Sequence, residues 1–117
     1  MGVAPREDSS YLLARMRFGI VLAPSAVREL RALPAHRRAA VRDALDRFLR
    51  HEPTRTSKSR IKRLRGMSRP QYRLRVDDIR VFYDVTDNTV EILAIVTKAQ
   101  ADAWLRDAGD PVGDDEE

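Results

Sequence analysis

The clearest pattern lies between Arg60 and Thr97, where apolar and polar residues alternate in successive short runs. From Gln71 to Val76, Tyr72, Leu74 and Val76 fall on one face and Arg73 and Arg75 on the other. A two-residue turn at Asp77-Asp78 leads into Ile79 to Thr86, where Ile79, Val81, Tyr83 and Val85 alternate against Arg80, Phe82 and Asp84. Asp87-Asn88 makes a second turn, and Val90 to Thr97 is a longer run rich in β-branched residues. Period-two patterning with Asx-rich two-residue turns predicts an antiparallel three-stranded meander. Its face away from the core carries guanidinium groups.

Upstream the period changes. Arg17 to Ala23 (RFGIVLA) is a short run of strand formers and predicts a first strand. Pro24 suits the first turn of a helix, where a missing N–H costs nothing. Val27, Leu30 and Leu33 then recur at helical spacing, with Arg28, Glu29 and Arg31 facing out. Pro34 ends this helix and starts the next. From Ala35 to Arg50, the residues Ala40, Val41, Ala44, Leu45, Phe48 and Leu49 form one apolar stripe. Such a hairpin must cover an apolar surface, and the inner face of the meander is the candidate.

Thr54 to Ser59 reads as loop, Ile61 to Leu64 as a brief strand or simply extended chain, and Gly66 to Pro70 as a turn region. Lys98 to Asp107 is helix-forming, with Ala101, Trp104 and Leu105 expected to pack on the sheet edge or end. The expected fold is α+β in the order β-α-α-β-β-β-α: a twisted, mainly antiparallel sheet with an N-terminal helical hairpin on one face. The domain is expected over residues 16–108, after a flexible extension at 1–15 and before a disordered acidic tail at 109–117.

A length of 117 residues suits one domain with a modest core. The chain has no cysteine, which excludes disulfides and thiolate metal sites and makes a reducing cytoplasm the default. It has neither an apolar run of membrane-spanning length nor a signal-peptide core, so neither a membrane span nor secretion is expected. The net charge of +4 understates the basic character of the folded part, because five acids lie in the last eight residues. Between Lys58 and Arg80 there are nine Lys/Arg against two Asp. That concentration points to a polyanion or an acidic protein as partner, with a solvated basic face as the plain alternative.

His36 and His51 sit at helix ends and read as surface or capping residues. Trp104 reads as an anchor for the last helix, with base stacking as its alternative. Asp77-Asp78 is a turn rather than a metal pair, since no His or further carboxylate stands beside it. No metal and no cofactor are expected.

The segment Lys62-Arg63-Leu64-Arg65-Gly66-Met67, followed by Tyr72-Arg73-Leu74-Arg75 and Ile79-Arg80-Val81-Phe82-Tyr83, resembles the RelE/ParE toxin superfamily of type II toxin–antitoxin systems. The resemblance runs over residues 16–107 and is nearer the RelE branch than the ParE branch. It implies a RelE-like fold and a toxin neutralised by a cognate antitoxin protein. For the RelE branch it implies an mRNA interferase: an endoribonuclease that enters the ribosome, cuts mRNA and so inhibits translation. Such cleavage uses the ribose 2′-OH as nucleophile and needs no metal. The alternatives are a ParE-like inhibitor of DNA gyrase and a catalytically inactive RelE-fold binding protein.

The same resemblance implies roles. Arg73 and Arg75 take the two basic positions of one meander strand, Arg80 takes the arginine of the next, and Lys98 takes a basic position at the strand-to-helix junction. These four are the candidate catalytic residues. Arg80 is the candidate for stabilising the phosphorane, since a planar fork can contact two phosphate oxygens at once. Lys58, Arg60, Lys62, Arg63 and Arg65 are the candidate RNA-binding residues. Two positions depart from the family pattern: Ala99 stands where an arginine is usual, and Leu105 is nearest in register to a usual tyrosine or histidine. The phosphate-binding half of the site is therefore complete and the acid/base half thin, leaving Lys98, Tyr72 and Tyr83 as candidates. Both tyrosines alternate toward the core.

Overall fold

The computed structural model describes residues 17–113. The extension expected at 1–15 and the last residues of the acidic tail lie outside the described residues. Strand β1 (Gly19–Leu22) leads into helix α1 (Pro24–Ala32) and helix α2 (Ala35–Ala44), which runs on as a π-helical turn over Leu45–Leu49. Then come β2 (Ile61–Arg63), β3 (Met67–Arg69), β4 (Tyr72–Val76), β5 (Ile79–Val85), β6 (Thr89–Thr97), α3 (Lys98–Ala108) and β7 (Asp110–Pro111). The main sheet has the order β1-β6-β5-β4-β2, with β1 parallel to β6 and the other neighbours antiparallel.

The hairpin forms where the prolines predict it. Pro24 opens α1, Pro34 caps α2, and Arg38 donates from Nη1 to the carbonyls of Arg31 and Leu33, closing the end of α1 with a cation. Ala26, Leu30, Val41, Ala44, Leu45 and Leu49 are buried against Leu74, Val81, Tyr83 and Ile92 of the sheet. Ala40, expected in that stripe, is exposed instead: the buried positions Val41, Ala44 and Leu45 define a face that Ala40 only borders. Beyond the end of β1 the Glu29 carboxylate accepts from Ile95 N at 2.8 Å, satisfying a backbone donor that β1 is too short to reach. Burial pushes the Glu29 carboxyl above its ordinary range.

The last helix departs from expectation. α3 lies over the second face of the sheet, where Ala101 joins Phe82, Ala94 and Val96, with Leu64, Trp104 and Leu105 packed against them. Trp104 stacks on Phe82 with ring centroids 4.9 Å apart. Both faces are therefore partly covered, which is why β5 is buried from Ile79 through Asp84.

Two short segments also differ from the reading of the sequence. Residues 67–69, expected as turn, form β3. Asp110–Pro111, expected in a disordered tail, form β7 and pair with β3. Ser68 Oγ donates to the Asp110 carbonyl at 3.1 Å, and Val112 N donates to the Gly66 carbonyl at 2.8 Å. A polar stretch this short shows no period; its order comes from backbone pairing with a partner more than forty positions away.

Candidate anion-binding site

Strand alternation sends Arg73, Arg75 and Arg80 to the α3 side of the sheet. Arg75 pairs with Arg80 across β4 and β5, and Arg73 pairs with Phe82 one row along. Arg80 is only 7% exposed. Its Nη1 donates to the carbonyls of Asp77 at 2.8 Å and Ile79 at 3.0 Å, so the β4–β5 turn aims the guanidinium. Asp77 has φ of 53°, a left-handed turn position that Asp tolerates better than most side chains.

Among the described residues none of the three arginines makes an ion pair with a carboxylate. The Arg73 Nε is buried without a hydrogen-bond partner. Burial, and then the charges of Arg80 and Arg75, lower the Arg73 pKa; burial and then Arg75 lower that of Arg80. Arginine holds its proton regardless. An anion placed between these arginines would supply the missing acceptor and offset the repulsion.

Lys98 is exposed at the first position of α3. Its backbone N donates to the Asp78 carbonyl at 2.6 Å, setting it at the turn that aims Arg80. A capping box fixes the helix start: Thr97 Oγ1 accepts from Gln100 N, and Gln100 Oε1 accepts from Thr97 N. Thr-x-x-Gln is the sequence signature of such a box. Arg37 of α2 forms an ion pair with Asp78, tying the hairpin to the same turn, and His36 lines a small cavity there with Asp77.

The five basic residues around β2 do not act as one strip. Lys62 pairs with Arg73 and shares the arginine face, where the next inward position, Leu64, packs under α3. Arg63 pairs with Tyr72, and its guanidinium carbon lies 5.3 Å from that ring's centroid, on the hairpin side. Arg60 lies 4.5 Å over Phe48, also on the hairpin side. Lys58 and Arg65 are exposed in the flanking loops.

Neither tyrosine faces the arginines. Tyr83 is buried, donates to the Pro53 carbonyl at 2.7 Å and stacks with Tyr72 at 5.5 Å. Burial pushes its phenol pKa far up. A second charged group, not foreseen, lies further along the arginine face. Asp84 accepts from Gln71 N at 2.7 Å and pairs with Arg69 at 3.0 Å, and Arg69 also reaches Glu91. Among the described residues no group of three or more His, Asp or Glu is placed to hold a metal, and no helix is long and apolar enough to cross a membrane.

Residues 20–102 match the family model of the ParE toxin of the type II toxin–antitoxin system parDE. The chain belongs to the RelE/ParE superfamily of type II toxins. Solved structures agree with this assignment. The RelBE2 toxin–antitoxin complex from Mycobacterium tuberculosis matches at 28% identity and a TM-score of 0.57, over 73% of this chain and 95% of that one. An archaeal RelE–RelB complex from Pyrococcus horikoshii OT3 matches at 26% identity and a TM-score of 0.55, over 73% and 99%. The Escherichia coli toxin RelE, at 21% identity, a TM-score of 0.59 and coverage of 76% and 92%, shares the fold. No curated protein matches the chain. The first two of these structures are toxin–antitoxin complexes.

Proposed function

We propose that this RelE/ParE toxin is an mRNA interferase that cleaves mRNA on the ribosome, and so acts in the cytoplasm. The observation that carries this reading is the convergence of Arg73, Arg75 and Arg80 on one sheet face without a carboxylate partner. Such a face suits a phosphodiester whose charge rises in the transition state. In the reaction the ribose 2′-oxygen attacks the adjacent phosphorus. The bond to the 5′-oxygen breaks, leaving a 2′,3′-cyclic phosphate and a 5′-hydroxyl. Arg80, held by two carbonyls, stabilises the phosphorane, with Arg73 supplying its unused Nε donor.

Lys98 stands at the same turn and is the candidate donor to the leaving 5′-oxygen. With Tyr72 and Tyr83 turned away, the proton of the 2′-OH passes to water or to a group that the ribosome brings. That requirement fits an enzyme that works only on the ribosome. Lys62 and the exposed cations beside β2 take the surrounding phosphates.

A ParE-like gyrase inhibitor is the second reading, favoured by the family model and by the thin acid/base half of the site. Primer extension on a reporter mRNA after induction of the chain, with Arg80→Ala alongside, separates the two. Cuts inside translated codons that vanish in the variant are expected. Growth arrest with intact mRNA and lost supercoiling would instead establish the gyrase reading.

A further inference from the structure

On the far side of the β2 edge from the arginine face, between the end of the π-helical turn and the loop before β2, lies a cavity of about 370 Å³. Arg47, Arg55 and Arg60 line it, against one acid, Glu52. Glu52 pairs with Arg55 Nη1 at 3.2 Å. Arg60 has no carboxylate partner among the described residues; its guanidinium carbon rests 4.5 Å above the Phe48 ring, and that of Arg47 lies 5.3 Å from the same centroid.

The loop that presents Arg60 is closed on itself. Ser57 N donates to the Ile61 carbonyl at 3.0 Å, and Ser57 Oγ accepts from Arg60 N at 2.9 Å. The Arg60 carbonyl in turn accepts from Arg75 N at 2.9 Å, joining this loop to the strand that carries the main arginines.

We infer that this pocket is a second phosphate subsite, taking a backbone phosphate of the same single-stranded RNA whose scissile phosphate lies at Arg80. The inference rests on the RNA reading proposed above. Its occupant follows from charge and path. β2 is the edge strand, Lys62 faces the main site and Arg60 the pocket, so cations line both sides of one short edge around which a flexible strand can bend. Planar guanidiniums with hydroxyls beside them suit phosphate oxygens.

The test measures binding of a 2′-O-methyl oligonucleotide, which lacks the attacking hydroxyl, to the full chain by fluorescence anisotropy across a salt series. For single strands the slope of log K against log salt is about −0.7 per neutralised phosphate. Arg55→Ser/Arg60→Ser should flatten the slope by roughly 0.7 and weaken binding several-fold, while Arg60→Lys retains most of it. A slope equal to that of the unaltered chain, in a double variant with an unchanged melting profile, overturns the subsite.

Arg80→Ala is the control for the main site. If it alone changes the slope, the RNA reading stands and the pocket fails; if only the pocket variant does, RNA is held without Arg80, and both the main site and the pairing of the two phosphates are overturned. Binding of a polyglutamate peptide that needs Arg55 and Arg60, with no effect of either on the oligonucleotide, would assign the pocket to a protein and overturn the proposal.

Discussion

Arg75 and Arg80 are directly paired across β4 and β5, cation opposite cation on one face of the sheet. Like charges so placed cost about 0.2–1 kcal/mol, and burial of Arg80 sharpens the cost. The arrangement is a liability to the free fold and an asset to a protein that receives phosphate.

A bound anion should therefore stabilise the fold measurably. Ligand that binds only the native state adds RT ln(1 + [L]/Kd), and each kcal/mol raises the Tm of a domain this size by about 4–8 °C. Inorganic phosphate at tens of millimolar, at constant ionic strength, should raise the Tm of the wild-type chain by several degrees and that of Arg80→Ala hardly at all. Arg75→Gln should start from a higher Tm, because the opposed charge is gone, and respond less to phosphate. Equal phosphate shifts in all three would remove the arginine face as an anion site.

Tyr83 is the residue most easily mistaken for a catalytic acid. Its hydroxyl is committed to the Pro53 carbonyl at 2.7 Å on the hairpin side. Tyr83→Phe leaves that buried carbonyl unsatisfied, at a cost of about 1–3 kcal/mol. Stability should fall by that amount, read by chemical denaturation, while toxicity on induction persists. Loss of toxicity at unchanged stability would place the phenol in the chemistry after all.

Asp84 gives the fold an unusual pH response. Burial raises its pKa above the ordinary value of 3.8, against the opposing pull of the Gln71 backbone N–H, Arg69 and Arg63; Glu91 adds to the rise. A folded pKa above the unfolded one means that the native state prefers the neutral acid. Its contribution to stability is then complete below the unfolded value and lost as pH rises through the folded one. Relative to Asp84→Asn, the wild-type chain should lose Tm as pH climbs from about 4 toward neutrality. A wild-type Tm that, relative to Asp84→Asn, stays flat or rises with pH contradicts the assignment.

Much of this was legible in the sequence because strand period and face are tied together. Arg73, Arg75 and Arg80 alternate against Leu74, Val76, Val81 and Tyr83, so their common face followed once the turn at Asp77-Asp78 was recognised. The two prolines likewise placed the hairpin. What stayed hidden depends on contacts distant in sequence. Nothing in the α3 segment says whether Trp104 meets a sheet edge or a sheet face; Phe82, on β5, decides it. The basic run at Lys58 to Arg65 reads as one patch, yet Lys62 joins the arginine face while its neighbour Arg63 and, ahead of the strand, Arg60 lie on the hairpin side. The Arg69–Asp84 pair joins residues fifteen positions apart, and neither is distinctive alone.

Gly109 offers the sharpest test of how α3 is held over the arginine face. Its φ is −79°, so any residue could adopt the backbone there; space, not conformation, demands glycine. A Cβ would run into Met67 Cε, the flexible end of a side chain, and would lie 2.7 Å from the Leu105 carbonyl oxygen, which is backbone and cannot yield as easily. Gly109→Ala should therefore push the end of α3 off β3 at a cost of about 1–3 kcal/mol. The single tryptophan of the chain reports on this directly, since Trp104 stacks on Phe82 beneath the helix. The variant should melt earlier and emit at longer wavelength as the indole meets water. Adding Met67→Ala removes one obstacle and leaves the carbonyl, so it should restore only part of the loss. Full restoration would locate the strain in the Met67 side chain alone. Wild-type Tm and emission in Gly109→Ala would mean that the contact with β3 does not hold α3 in place.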